Sequence, residues 1–131
     1  MASYSVAKRE DAMDWMADYP GFGEMRWYSQ ALATEQVSFS WRTMPPGTGG
    51  RGSYGHRHPG QEEVYFVIAG RPTFKIDDDV FEADPHTAVR IGGDAFRSVH
   101  NDTDEDCELL LFSTRDLDAA TEQTEGFWPE D

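Results

Sequence analysis

Between residues 24 and 113 the chain is a succession of short β-branched and aromatic runs, each closed by glycine, proline or acidic turn residues. "EMRWY" and "EQVSFSWRTM" come first, and in the second of these Val37, Phe39 and Trp41 alternate with Gln36, Ser38, Ser40 and Arg42. A period of two with the apolar set on one side predicts a half-buried strand whose inner face is Val37, Phe39 and Trp41. "EVYFVIAG", "TFKI", "VFEA", "AVRI", "FRSVHN" and "CELLLFS" follow, with Asp77, Asp78 and Asp79 at a hairpin position. Many short strands without helices between them predict an all-β sandwich or barrel.

The flanks read differently. In "REDAMDWMADYPGF", Ala12, Trp15, Met16 and Tyr19 fall at the spacing of one helical face and Pro20-Gly21 would end it, so a short N-terminal helix is expected within residues 1–23. Residues 24–113 are expected to form the barrel, and 114–131 an acidic tail whose anchors, if it docks, are Phe127 and Trp128. A length of 131 residues suits one domain. A net charge of -14 excludes a nucleic-acid partner, because a phosphate backbone requires clustered Lys and Arg. No apolar run approaches the ~20 residues of a membrane helix, and the N-terminus has no signal-peptide centre. One cysteine, Cys107, allows no intrachain disulfide, and a cytoplasmic location is expected.

The chemistry concentrates in "GHRHPGQEEVYFVIAG", residues 55–70. Side chains two apart on a strand project to the same side, so His56 and His58 can converge on one ion. Two imidazoles and a carboxylate from Glu62 or Glu63 are a ligand set for a divalent transition metal such as Zn, Ni, Fe or Mn. Strand parity puts Glu62 with Val64 and Phe66, and Glu63 with Tyr65 and Val67, without saying which face is inside. The glycine-rich loop at 45–55 lacks the Lys-Ser/Thr of a phosphate loop and reads as a pocket rim. No Ser-His-Asp or Cys-His arrangement is visible.

Gly50, five residues, His56-x-His58, four residues, Glu63, six residues and Gly70 together resemble the first motif of the cupins at every position. The resemblance implies a double-stranded β-helix, a small jelly-roll barrel with a metal and a small-molecule pocket inside. It also selects Glu63 over Glu62, and it implies a homodimer, with the apolar-rich segment from Trp27 to Trp41 to be covered. The second cupin motif is degenerate. Counting back from Asn101, its glycine, proline, glycine and histidine fall on His86, Gly92, Asp94 and Arg97, and only the asparagine survives.

Arg97 therefore stands where the fourth metal ligand would be, and a guanidinium has no lone pair to give. His100, three residues on, points to the opposite face, and His86 sits by a turn at the rim. Two outcomes compete. In one, His56, His58 and Glu63 form a facial site, and Arg97 and Tyr65 contact an anionic small-molecule substrate. In the other, Arg97 fills the metal's space and pairs with Glu63, leaving a metal-free binding or sensing pocket. A fixed positive charge ~5 Å from a divalent ion, at an effective dielectric of about 20, repels it by roughly 6 to 7 kcal/mol. Only an intervening anion or a displaced Arg97 removes that penalty.

Overall fold

The computed structural model describes residues 3–116 and 120–130; residues 117–119 and 131 of the expected tail, and residues 1 and 2, lie outside that set. In chain order the strands are β1 (Met13–Asp14), β2 (Glu24–Trp27), β3 (Val37–Met44), β4 (Ser53–Arg57), β5 (Glu63–Ala69), β6 (Thr73–Ile76), β7 (Asp79–Glu82), β8 (Ala88–Ile91), β9 (Arg97–His100), β10 (Cys107–Thr114) and β11 (Glu122–Trp128). They form two antiparallel sheets, one ordered β1-β2-β3-β10-β5-β8 and the other β11-β4-β9-β6-β7. The sheets face each other as the expected jelly-roll barrel. Their shared core includes Met44, Tyr65, Val67, Phe74, Ile91, Val99, Leu109 and Leu111.

β10 is the centre of the first sheet. Leu109 pairs with Arg42 on one side and Val67 on the other, and Leu111 pairs with Ser40 and Tyr65. Residues paired across a ladder project to the same face. Since Leu109 and Leu111 are buried in the core, Arg42, Ser40, Val67 and Tyr65 face inwards too. This inverts the expectation for β3. Val37, Phe39 and Trp41 lie on the outer face, where Phe39 meets Phe112 (5.2 Å) and Tyr28 (5.5 Å) and the Trp41 indole donates to Glu108 (2.7 Å). Periodicity alone could not tell the faces apart, because the outer one carries its own aromatic cluster.

The expected N-terminal helix does not form. A 3-10 turn at Arg9–Asp11 leads into β1, and the short α-helix α1 (Tyr28–Leu32) lies after β2. A short amphipathic segment is marginal as an isolated helix, and here β2 offers better partners. The Asp14 carboxylate accepts from the backbone N–H groups of Met16 and Met25 (both 2.9 Å), and Trp15 N–H donates to Met25 O (2.8 Å). The supposed apolar face is split: Ala12 is buried, whereas Trp15 and Tyr19 are exposed.

The two glycines that bound the first motif are close approaches of backbone. A Cβ on Gly50 would lie 1.7 Å from Ser98 Oγ, and one on Gly70 would lie 2.6 Å from Asp106 O at a φ of +79°. Asn101, fully buried, donates to Met44 O and Glu105 O and accepts from Thr103, tying the end of β3 to the loop before β10. The acidic C-terminal segment contributes β11, which pairs with β4. Trp128 is 3% exposed, 6.0 Å from His100 and 4.8 Å from the Arg51 guanidinium, and Lys75 Nζ sits 3.9 Å from the Phe127 ring.

Replacing Trp128 by Ala should lower stability by about 3–5 kcal/mol in urea unfolding, the usual cost of emptying a buried aromatic site. A change below about 1 kcal/mol would mean that β11 is not docked in solution.

Candidate functional site

Three elements deliver the predicted ligand set. His56 is in β4, opposite Arg97 of β9 and Gln123 of β11. His58 follows β4 directly, and Glu63 opens β5 after a turn closed by Gln61 N–H to His58 O (2.9 Å). The imidazole rings are 4.9 Å apart at 68°, and one ligand atom from each of His56, His58 and Glu63 lies within 4.8 Å of the others. Donors about 2.1 Å from one ion are themselves up to ~4 Å apart, so a small closure completes the site. One Glu63 oxygen, Oε1, is buried without a hydrogen-bond partner. An acceptor left unmatched beside two imidazoles fits a cation. Glu62 is exposed and pairs with Arg90 at 2.9 Å.

Thr121 Oγ1 lies 3.1 Å from His58 Nδ1, leaving Nε2 as the ring nitrogen free for another partner. Burial holds the His56 imidazole down at about 4, with smaller contributions from His58, Arg97 and Arg42. At neutral pH its ring is therefore uncharged, the form in which it donates a lone pair.

Arg97 is 1% exposed, and its Nη2 donates to Gly92 O at 3.2 Å. Its Nε and Nη1 have no partner. The Arg97–Glu63 ion pair considered from the sequence is not formed among the described residues. His100 is buried elsewhere, accepting from Arg51 N–H (3.2 Å), and His86 stacks on Phe66 (6.3 Å).

A cavity of about 410 Å³ opens beside the histidines, within the range of small-molecule sites. Tyr65 lines it while packing edge-on against Phe74 (5.6 Å). Its phenol is raised well above the ordinary value, first by burial and then by the Glu63 carboxylate, so it remains a hydroxyl donor. Several lining residues were not foreseen. Arg42 was assigned to the outside of β3; Thr121 and Gln123 belonged to the supposed tail; Met16 belonged to the supposed helix. Only the leucine register of β10 could have pointed to Arg42, and nothing in the sequence pairs β11 with β4.

Two facing antiparallel sheets with a His-His-Glu cluster at an internal cavity define a jelly-roll barrel protein with a candidate metal centre. A family model described as Cupin domain matches residues 40–113, more than half of the chain, and the chain belongs to the cupin family. Solved structures agree on the fold. A sugar phosphate isomerase of the cupin superfamily from Silicibacter pomeroyi superposes with a TM-score of 0.74 at 19% identity, covering 91% of this chain and 81% of its own. A polyketide cyclase from Streptomyces resistomycificus gives 0.72 at 16%, covering 96% and 87%. A candidate sugar phosphate isomerase from Acidithiobacillus ferrooxidans gives 0.66 at 20%, covering 76% of this chain, which spans 64% of that protein's length. No curated protein matches the chain in sequence. No helix among the described residues is long and apolar enough to cross a membrane.

The depressed His56 value makes stability depend on pH. The unfolded imidazole takes its proton near 6.5 and the folded one only near about 4. Between those values the unfolded state binds more protons, so this contribution is fully present above pH 6.5 and is lost as pH falls towards 4. The loss is at most about 3 kcal/mol. Urea unfolding of chelator-stripped protein at pH 7 and 4.5 should show a larger drop for wild type than for His56→Gln. Equal drops would show that His56 is not held neutral by the fold.

Proposed function

We propose that the chain is a metal-dependent cupin enzyme, of isomerase or oxygenase type, acting on an anionic small molecule in the cavity between its sheets. The observation that carries this reading is the convergence of His56, His58 and Glu63 at that cavity, with an unpartnered carboxylate oxygen. Zn, Ni, Fe or Mn suits such a donor set. When bound, the ion supplies Lewis-acid polarisation of a substrate oxygen. The chain's own residues do the rest. His56 and His58 hold the ion from β4, Glu63 closes the set from β5, and Thr121 orients the His58 ring. Tyr65 offers its hydroxyl to the ligand, and Arg97 adds positive potential behind His56. The small-molecule chemistry named for the isomerase and cyclase neighbours supports an enzyme. The single cysteine suits a reducing compartment such as the cytoplasm.

A second reading, a metal-free binding or sensing module, is favoured by the buried positive charge of Arg97 next to the site. Calorimetry on untagged, chelator-stripped protein separates the two. On the first reading, wild type binds one ion per chain. Glu63→Gln then weakens binding by more than about tenfold, because even a group that only orients a ligand is worth that much. Arg97→His removes the fixed charge, adds an imidazole and tightens binding. No binding by wild type, together with binding by Arg97→His, would establish the metal-free module.

The outer face of the first sheet, with Phe39, Trp41, Tyr28 and Leu110 around a shallow groove, supports a homodimer that covers it. Light scattering at micromolar concentration should return twice the chain mass; the mass of one chain would overturn the dimer.

A further inference from the structure

We propose that Arg42 is the receptor for the anionic group of the cavity's ligand, and that this ligand is a small organic anion, a carboxylate or a phosphate, whose remaining oxygens face His56 and His58. The inference rests on the reading of the cavity as a ligand site and adds the group that selects its charge.

Arg42 reaches the interior because it pairs with Leu109 of β10 and Met25 of β2. Its stem runs between apolar neighbours and its guanidinium reaches the cavity wall. There it makes no ion pair and no side-chain hydrogen bond among the described residues. An arginine stays charged even when buried, so this charge has no protein counterion. The rest of the wall sharpens the contrast. The chain carries 25 acidic residues and a net charge of -14, yet among the described residues Glu63, beside the two imidazoles, is the one carboxylate placed at the cavity. Its polar groups are the two imidazoles, the amide of Gln123 and the hydroxyls of serines, Thr121, Tyr54 and Tyr65.

Arg97 supplies an independent observation. It is 1% exposed, and two of its donor nitrogens lack any partner. It does not line the cavity; it pairs with His56 across β4 and β9 and adds to the same positive potential. A cavity with one guanidinium in its wall, a second paired across the strand from His56 and a single carboxylate, Glu63, beside the imidazoles suits an anion held by a planar two-donor fork. Arg42 takes the role that the sequence assigned to Arg97, because Arg42 is the arginine that reaches the open space. Among the described residues the Arg42 guanidinium makes no bond that joins strands, so Arg42→Gln is expected to keep the barrel.

The test follows the Arg42 Nε–Hε resonance by nitrogen-15 NMR at constant ionic strength while acetate, inorganic phosphate or acetamide is added. Wild type should respond to acetate, to phosphate or to both, and not to neutral acetamide; the stronger responder separates a carboxylate from a phosphate ligand. Arg42→Gln should weaken the responding anion roughly tenfold or more, read at the His56 and His58 side chains, and Arg42→Lys should fall between. No response of Arg42 to either anion at tens of millimolar would overturn the proposal, as would unchanged affinity in Arg42→Gln. His58→Ala separates this failure from that of the cavity reading. Anion binding kept by Arg42→Gln but lost by His58→Ala overturns Arg42 alone. Binding kept by both variants overturns the cavity as well.

Discussion

The placement of nearly every interior group depends on the register of β10 between β3 and β5. Leu109 and Leu111 must be buried, and each is flanked in the ladder by residues committed to the same face. Arg42 and Ser40 on one side, and Val67 and Tyr65 on the other, go inside because those leucines do. Ser113 extends the same face to Glu63. A slip of one residue would exchange this set for Trp41, Phe39 and Phe66 and send the carboxylate of the candidate metal cluster to solvent. Burying the leucines thus decides the position of groups with no hydrophobic reason to be buried.

That constraint collects charge in the interior. Arg42, Arg97, Glu63 and two imidazoles lie in or beside one small space. The opposite charges among them do not neutralise each other by contact: Glu63 keeps an unpartnered oxygen and Arg97 two unpartnered nitrogens. Buried polar groups are normally satisfied, and orphaned ones of both signs at a single site point to ligands of both signs. Under the proposed readings of the site, a cation at the His-His-Glu cluster and an anion at the arginines would satisfy this arrangement together. The repulsion between a metal ion and a fixed guanidinium, which from the sequence alone sets Arg97 against the metal, is relieved when an anion lies between them.

The histidine motif was readable because its geometry is local. His56, His58 and Glu63 are separated by few residues, so their spacing could be matched as one motif, although the inward face of Glu63 is fixed by its pairing with Ser113 of β10. Gly50 and Gly70 could be matched by spacing, although their reason, contact with Ser98 and with the Asp106–Cys107 backbone, lies nearly fifty and nearly forty residues away in the chain. Arg42 was misplaced for a definite reason. The inner face of β3 is mostly polar (Ser38, Ser40 and Arg42) and meets the core through Met44, while its aromatic face, Phe39 and Trp41, is outside against Phe112 and Tyr28. The N-terminal segment failed in the opposite way: its helical spacing was real, but Asp14 and Trp15 found partners in β2.

The sequence by itself determined most of the strands between residues 24 and 113 and the all-β architecture that follows from them, and its resemblance to the cupin motif selected Glu63 over Glu62. The strands and architecture rest on period and turn chemistry, properties of neighbouring residues, while the choice of Glu63 rests on the family resemblance. Tertiary structure alone decided which face of β3 is interior, that the acidic segment closes the second sheet through Trp128, and that Thr121 and Gln123 reach the cavity. It also left Arg97 out of the cavity lining and placed Arg42 within it. Those outcomes depend on pairings between strands as much as seventy residues apart, whose register is chosen by the total apolar surface buried and leaves no trace in any one stretch of chain.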